Sequence, residues 1–197
     1  MVPRPEPDVP GPPGSLPLSP HLFLVVLGGR VPGAHIELHD VRFVVGRTLE
    51  DTLPALRRQW FGRRRGLHID SWMVVRQVGA FAVELRREPR EGKERLWFVN
   101  VGGYQADRLA EEHAFGLVVA ATAAGARRQA LASWLPQALL RHKDDLHPLD
   151  TVGGLEAPEA VDDCLPLDTL EGWQVHLRSV PEPPPPQRPD WFGYRPI

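Results

Sequence analysis

The stretch Leu22-Phe-Leu-Val-Val-Leu-Gly-Gly29 is an apolar run closed by two glycines, and it decides the fold because it occurs twice. Its counterpart, Leu96-Trp-Phe-Val-Asn-Val-Gly-Gly103, lies 74 residues later. Moved forward by this distance, segment 22–60 gives ten identities with the second copy and needs no gap. A fixed period over so many positions is typical of an internal duplication. We therefore predict two tandem copies of one α/β unit, at about 21–90 and 95–180.

The order of elements predicted for each copy is strand, strand, helix, strand, strand. Continuous apolar or β-branched runs indicate the strands, and Thr48 followed by Asp51 indicates a capping box that opens the helix. In the second copy we predict a longer helix over Ala123–Lys143 and a loop over Thr151–Leu167. The elements predicted for the first copy are the strands Leu22–Leu27 and Val41–Val45, a helix running to Trp60, and a hairpin of Trp72–Val78 with Phe81–Arg86.

The predicted fold class is α+β: two tandem ββαββ repeats related by a pseudo-two-fold axis, each a small, mostly antiparallel sheet covered by one helix. The ends differ in composition, since 1–20 hold eight of the 22 prolines and 181–197 hold seven. Such segments bury too little apolar surface to offset the entropy of ordering. We predict flexible tails: a disordered extension over 1–20 and a Pro-rich arm over 181–197. The aromatic end of that arm (Trp191, Phe192, Tyr194) is expected to dock on this chain or on a partner.

Bulk composition excludes several classes of function. The net charge of -2 provides no basic field that would attract nucleic acid. Trp60-Phe61 followed by Arg63–Arg65 is the kind of segment that binds single strands, but Trp60 also fits the apolar helix face, so we predict a core role for it and no nucleic-acid binding. No apolar run is long enough to span a bilayer, and the single cysteine, Cys164, excludes an internal disulfide. A cytoplasmic location without membrane contact is predicted.

Three stretches of the first copy carry a resemblance to a known family. Leu27–Gly46, Trp60-Phe-Gly62 and Gly66-Leu-His-Ile-Asp-Ser-Trp72 resemble the bacterial family of domain of unknown function 1543. The resemblance is specific in the first copy, diluted in the second, and covers about 22–180. That family is described as having one or two copies of the domain, which agrees with the duplication. The resemblance implies a bacterial protein and brings no activity with it.

Polar side chains able to bind a metal or transfer a proton concentrate before the second and third strands of the first copy. If these strands are neighbours, both groups lie at the same end of the sheet. Two or three imidazoles with a carboxylate can bind zinc or another divalent metal, or act as a general base with its orienting carboxylate. They can equally serve a structural role, because such residues also satisfy turns at strand entries. The candidate residues are Glu37, His39, Asp40, His68 and Asp70, with His35 beside them.

The second copy retains part of this set. Glu111, His113, His147 and Asp150 match first-copy residues, whereas Leu109 and Ala114 stand where the first copy has His35 and Asp40. We therefore predict that any catalytic site lies in the first copy. Shared residues at matching turns are also what a structural role would produce.

Two hypotheses for the function follow. The first is a non-enzymatic binding module that holds a small molecule or a protein in the groove between the copies. The second is a metal-assisted or acid–base enzyme that uses His39, Asp40, His68 and Asp70. Gly28-Gly29 follows a strand, where phosphate-binding loops also occur, but neither Gly-Lys-Ser/Thr nor a helix-opening G-x-G-x-x-G is present. We therefore predict no nucleotide binding there, and a tight turn or a close backbone approach as the reason for these glycines. The sequence assigns no cofactor.

Overall fold

The computed structural model describes residues 19–134, 140–142, 164–181 and 186–197. These residues form two helices and three antiparallel sheets, which confirms the α+β class. In chain order the elements are β1 (His21–Gly29), β2 (Leu38–Gly46), α1 (Leu49–Gln59), β3 (His68–Val74), β4 (Gln77–Val78), β5 (Phe81–Arg86), β6 (Arg95–Tyr104), β7 (Glu112–Ala120), α2 (Ala123–Ser133), β8 (Leu140–His142), β9 (Cys164–Pro166), β10 (Thr169–Leu170), β11 (Trp173–Ser179) and β12 (Trp191–Pro196).

The chain divides into two compact units. Unit 1 comprises Met1–Val75 together with Arg188–Ile197, and unit 2 comprises Arg76–Gln187. The predicted extension over 1–20 lies outside the described residues except for its last two positions. Within the described ranges, no helix has the length and apolar content that a membrane crossing requires. The cytoplasmic location stays a prediction.

Unit 1 is a four-stranded sheet with one helix on it. Its strand order is β12-β3-β1-β2, and every neighbouring pair is antiparallel. The apolar run of β1 fits this central position, because Val25 and Leu27 pack into the same buried core as Leu56 and Trp60 of the α1 segment. Trp60 therefore has the predicted core role.

Helix α1 begins and ends where the sequence predicts. The side chain of Thr48 accepts a hydrogen bond from the backbone amide of Asp51, and the Asp51 carboxylate accepts one from the amide of Thr48. This reciprocal pair satisfies amides that have no partner inside the helix. The extended backbone of Trp60 then stops the helix.

The end of the chain forms the outer strand of unit 1, which corrects the prediction of a flexible tail for residues 191–196. Strand β12 pairs with β3, and the Asp190 carboxylate accepts a hydrogen bond of 2.7 Å from the amide of Val74. Trp191 packs against the core of the unit. The proline content of the arm predicts a flexible tail, but strand pairing with β3 and the packing of Trp191 order this segment. Residues 182–185 of the arm lie outside the described part.

A salt bridge from β12 to the first turn of α1 makes this attachment pH-dependent. Arg195 Nη2 donates to Glu50 Oε1 at 2.7 Å, and this hydrogen bond lowers the pKa of Glu50. Because the pKa is lower in the folded state, the stabilisation is present above the unfolded pKa and is lost as pH falls through the folded value.

We expect Arg195→Ala to lower the stability of unit 1 by less than about 1 kcal/mol at neutral pH, since Glu50 is largely exposed. The difference in melting temperature from the parent protein should shrink as the pH is lowered from neutral into the acidic range in which Glu50 takes up its proton, which lies below the usual range of a glutamate because Arg195 lowers its pKa. Thermal melts of both proteins across this pH range measure this. A difference that does not change with pH contradicts the prediction.

Unit 2 repeats the first part of unit 1 in its own sheet. Strands β6 and β7 are antiparallel and are followed by α2, which Thr122 caps at its start and Trp134 ends. The predicted helix over Ala123–Lys143 is too long, because α2 ends at Ser133 and β8 is a strand on β6. Trp134 already has an extended backbone, and a proline two positions later disfavours further helix. The pseudo-two-fold axis stays a prediction.

The remaining strands depart from the prediction of one sheet per copy. Strand β5, from the first copy, pairs along its length with β11, from the second. The predicted hairpin of Trp72–Val78 with Phe81–Arg86 is reduced to β4 and β5, because β3 ends at Val74 and is already paired with β1 and β12. The predicted loop Thr151–Leu167 contains a strand, β9, on β6, and its residues 151–163 lie outside the described part.

Candidate metal centre

Two histidines meet above a glycine on the central strand of unit 1. Gly28 of β1 lies opposite His39 of β2 on one side and opposite His68 of β3 on the other. A Cβ built on Gly28 would lie 2.5 Å from His68 Nε2 and 2.9 Å from His39 Cδ2. The close approach predicted for Gly28 is therefore to the two imidazoles. The second and third strands of the copy are not neighbours, and the absence of a side chain on β1 is what lets their histidines converge.

A β-bulge brings Asp70 to the same place. Val26 pairs with Ser71 and Leu27 pairs with Ile69, so Asp70 is an extra residue on β3. Bulges redirect a side chain locally. The Asp70 carboxylate lies 3.2 Å from the Nε2 atom of His68 and 3.2 Å from that of His39.

Glu37 completes the group, which we call the histidine cluster (Glu37, His39, His68 and Asp70). Glu37 Oε1 is 3.8 Å from His39 Nε2, and one ligand atom from each of Glu37, His39 and His68 lies within 4.8 Å of the other two. Glu37 and His39 are half-exposed, whereas His68 is only 2% exposed. The cluster is thus anchored on a buried imidazole and open to solvent on the β2 side.

Two of the residues named from the sequence lie outside the histidine cluster. Asp40 accepts hydrogen bonds from the amide of Val41 at 2.8 Å and from the Arg42 guanidinium at 2.5 Å. The Asp40 carboxylate is therefore paired with neighbouring residues of β2 and not with the histidine cluster. His35 precedes β2 and lines a neighbouring cavity.

The hydrogen bond on the far side of His68 determines how its ring meets Asp70. His68 Nδ1 is 2.9 Å from the carbonyl oxygen of Gly66. A carbonyl can only accept, so Nδ1 carries a proton, and in a neutral imidazole Nε2 then presents a lone pair. A lone pair facing the Asp70 carboxylate is unfavourable unless a proton or a metal ion lies between them. A backbone carbonyl that orients the ring in this way is the usual outer partner of a metal-binding histidine.

Tyr194 of β12 covers the buried histidine. Its ring centroid lies 4.2 Å from that of His68, with an angle of 34° between the ring planes. The pairing of β12 with β3 shifts register between Phe192 and Arg195, so Tyr194 belongs to an irregular part of the strand. Tyr194 was not among the candidate site residues, and the only sequence signal for it is the aromatic end of the arm.

For a metal ion bound at the histidine cluster, we expect Tyr194→Ala to accelerate release by about ten-fold, because the His68 ring loses its cover. Tyr194→Phe keeps the ring and serves as the matched control, with release close to that of the parent protein. The rate is measured by mixing zinc-loaded protein with an excess of a chromophoric chelator. Equal rates for the alanine and phenylalanine variants would show that the stacked ring does not control exchange.

The comparison with protein families bears directly on this part of the chain. The model of Domain of Unknown Function (DUF1543) matches residues 34–85 and 108–157, together just over half of the sequence. The chain belongs to the DUF1543 family. Two matched segments agree with the tandem copies predicted from the duplication, and the predicted resemblance is confirmed. All four residues of the histidine cluster lie in the first segment of this DUF1543 protein.

A solved structure resembles the DUF1543 protein over nearly its whole length. The crystal structure of the protein Il1583 from Idiomarina loihiensis is 34% identical in sequence and has a TM-score of 0.65. The similarity covers 90% of this chain and 97% of that one. A search of curated proteins finds no match. The comparisons therefore establish the family and a bacterial relative, and the chemistry of the site is argued from its residues.

Unit 2 of the DUF1543 protein retains part of the arrangement. Gly102 of β6 lies opposite His113 of β7 and opposite His142 of β8, and His113 Nε2 is 3.8 Å from Glu111 Oε2. His142 therefore lies opposite Gly102 in the register, as His68 lies opposite Gly28 in unit 1. His147 and Asp150 lie outside the described residues. The predicted ligand groove between the copies stays a prediction.

Proposed function

We propose that this DUF1543 protein is a metal-binding module whose histidine cluster holds one divalent transition-metal ion. The observation that carries the proposal is the convergence of Glu37, His39 and His68, whose ligand atoms lie within 4.8 Å of one another. The proposal keeps the hypothesis of a binding module and assigns the ligand to unit 1. Imidazole nitrogen with carboxylate oxygen is a ligand set that suits Zn²⁺ among the metals of this class.

The distances in the cluster support a small ion. Zinc–ligand bonds of about 2.1 Å in a tetrahedron place neighbouring ligand atoms roughly 3.4 Å apart. The two contacts of Asp70 with the histidine nitrogens, at 3.2 Å, are close to this edge length. The half-exposed side chains of Glu37 and His39 have room to close on an ion, whereas buried His68 is already fixed by the Gly66 carbonyl.

The carboxylates give the cluster the charge that a divalent ion needs. Glu37 and Asp70 together neutralise an ion of charge +2, which lowers the cost of holding it at the partly buried edge of the sheet. Three protein ligands with one position open to water are typical of catalytic zinc sites, whereas structural sites are closed by four. The cluster supplies four candidate ligands, so the second hypothesis, a metal-assisted reaction, requires that water replaces one of them on the exposed β2 side.

Zinc titration of the full chain by calorimetry tests the proposal. We expect binding of Zn²⁺ in the parent protein and a loss of affinity of more than about 100-fold in His39→Ala, since loss of an outer partner alone costs 10- to 100-fold. His39 is half-exposed, so this variant retains the core. His21→Ala is the matched control, because His21 lies on β1 at the end opposite Gly28.

The proposal fails if the parent protein binds no zinc, or if His39→Ala and His21→Ala bind it equally well. A conservative variant refines the ligand set. Glu37→Gln keeps the shape of the side chain and removes its charge, so a fall in zinc affinity there identifies Glu37 as a ligand.

A further inference from the structure

A cavity of about 500 Å³ lies next to the histidine cluster in unit 1. It is formed by the segment between β1 and β2 and by the loop after α1. Glu37 belongs to both the cavity wall and the cluster. The other charged or titratable side chains on the wall are Arg30, His35 and Arg63. A molecule in the cavity is therefore beside the carboxylate that reaches towards the metal position.

The two backbone segments that carry the arginines of the wall are held together by hydrogen bonds. The amide of Arg63 donates a hydrogen bond of 2.8 Å to the carbonyl oxygen of Arg30. The indole Nε1 of Trp60 donates to the carbonyl oxygen of Arg63 at 3.2 Å. A Cβ on Gly62 would lie 2.6 Å from that Arg30 oxygen, so glycine permits this close packing. The loop after α1 is thus fixed against the end of β1, with one arginine on each segment.

Among the residues that the structure describes, the charges of these two arginines have no acidic partner. Across the part of the chain that the structure describes, neither the Arg30 nor the Arg63 guanidinium forms an ion pair with an acidic side chain. Arg42 and Arg195, in the same unit, are paired with Asp40 and Glu50. Glu37, the one carboxylate of the cavity wall, is 3.8 Å from His39 and is directed to the cluster.

We propose that this cavity binds a small oxyanion, a carboxylate or phosphate group, which Arg30 and Arg63 hold beside the metal ion. This inference rests on the proposed metal site. A guanidinium matches the planar edge of a carboxylate or phosphate with parallel hydrogen bonds. With Glu37 and Asp70 balanced by a divalent ion, the two arginines leave a net positive cavity.

Calorimetric titration of the zinc-loaded full chain with inorganic phosphate, and separately with acetate, tests the inference and distinguishes the two sources of the anion. We expect at least one of them to bind. The double variant Arg30→Ala/Arg63→Ala should weaken that binding by about ten-fold or more. Both guanidinium groups are removed, and with them the charge-assisted hydrogen bonds that each would donate to the anion. Arg64→Ala/Arg65→Ala removes the same charge from adjacent exposed positions and should leave the affinity within about two-fold.

Zinc affinity is measured for the same proteins, so that the two proposals are judged separately. Both double variants should bind zinc like the parent protein. Zinc binding without binding of either anion overturns this inference alone, as does an equal loss of anion affinity in the two double variants. A parent protein that binds no zinc overturns the proposed function and this inference together.

Discussion

Gly28→Ala is expected to abolish zinc binding to the histidine cluster and to destabilise unit 1 by about 1–3 kcal/mol, the cost of overpacking a filled site. The new methyl carbon would lie 2.5 Å from His68 Nε2 and 2.9 Å from His39 Cδ2. His68 is only 2% exposed, so its ring is surrounded by protein and not by solvent. Both imidazoles are displaced by one substitution, so the loss of zinc affinity should exceed that of His39→Ala.

The adjacent glycine provides the control. A Cβ on Gly29 would lie 2.8 Å from Cζ2 of Trp60, which belongs to the core and not to the cluster. Gly29→Ala should therefore destabilise the unit to a similar degree and retain stoichiometric zinc binding. Calorimetry for zinc and urea unfolding for stability separate the two effects. If Gly28→Ala binds zinc like the parent protein, the convergence of the histidines over Gly28 is not what builds the site.

Trp60→Ala is expected to produce the largest loss of stability, about 3–5 kcal/mol, as is typical of removing a large aromatic side chain from a core. The Trp60 side chain is 6% exposed and packs against the β1 segment and α1. Its indole nitrogen also donates to the Arg63 carbonyl, so the substitution releases the loop after α1 as well as creating a cavity.

Phe61→Ala is the control for this effect. Phe61 lies beside Trp60, with 4.8 Å between the ring centroids, but is 55% exposed. Its removal should cost less than about 1 kcal/mol. Urea unfolding of the two variants gives both values. We assign the main contribution to the stability of unit 1 to Trp60 alone and not to the Trp60–Phe61 pair. A similar loss of unfolding free energy for the two substitutions would contradict this assignment.

The local elements of the fold could be read from the sequence because their signals are local. The capping box of Thr48 and Asp51 needs only residues three positions apart. The pairing of β5 with β11 and of β12 with β3 could not be read in the same way. Which strands pair with each other depends on burial across the whole chain. Composition and periodicity do not predict these pairings.

The candidate site was predictable in its residue types and not in its assembly. Alternation along an extended segment already placed Glu37 and His39 on one side of the chain. Their meeting with His68 depends on Gly28, which occupies the strand between them. The bulge that presents Asp70 leaves no mark in the sequence. Asp40 was a candidate because it belongs to the polar group before the second strand, and its pairing with Arg42, two residues later, removes it from the cluster.

The discontinuity of unit 1 has a consequence for the order in which the protein is made. Its fourth strand comes from the last residues of the chain, after the whole of unit 2. During synthesis β3 therefore remains an open sheet edge, with hydrogen-bonding groups that a second nascent chain could pair with. Only once β12 has been translated can it close that edge and seat Tyr194 on His68. A ribosome that stops early thus releases a chain whose histidine cluster is uncovered and whose sheet is prone to aggregate.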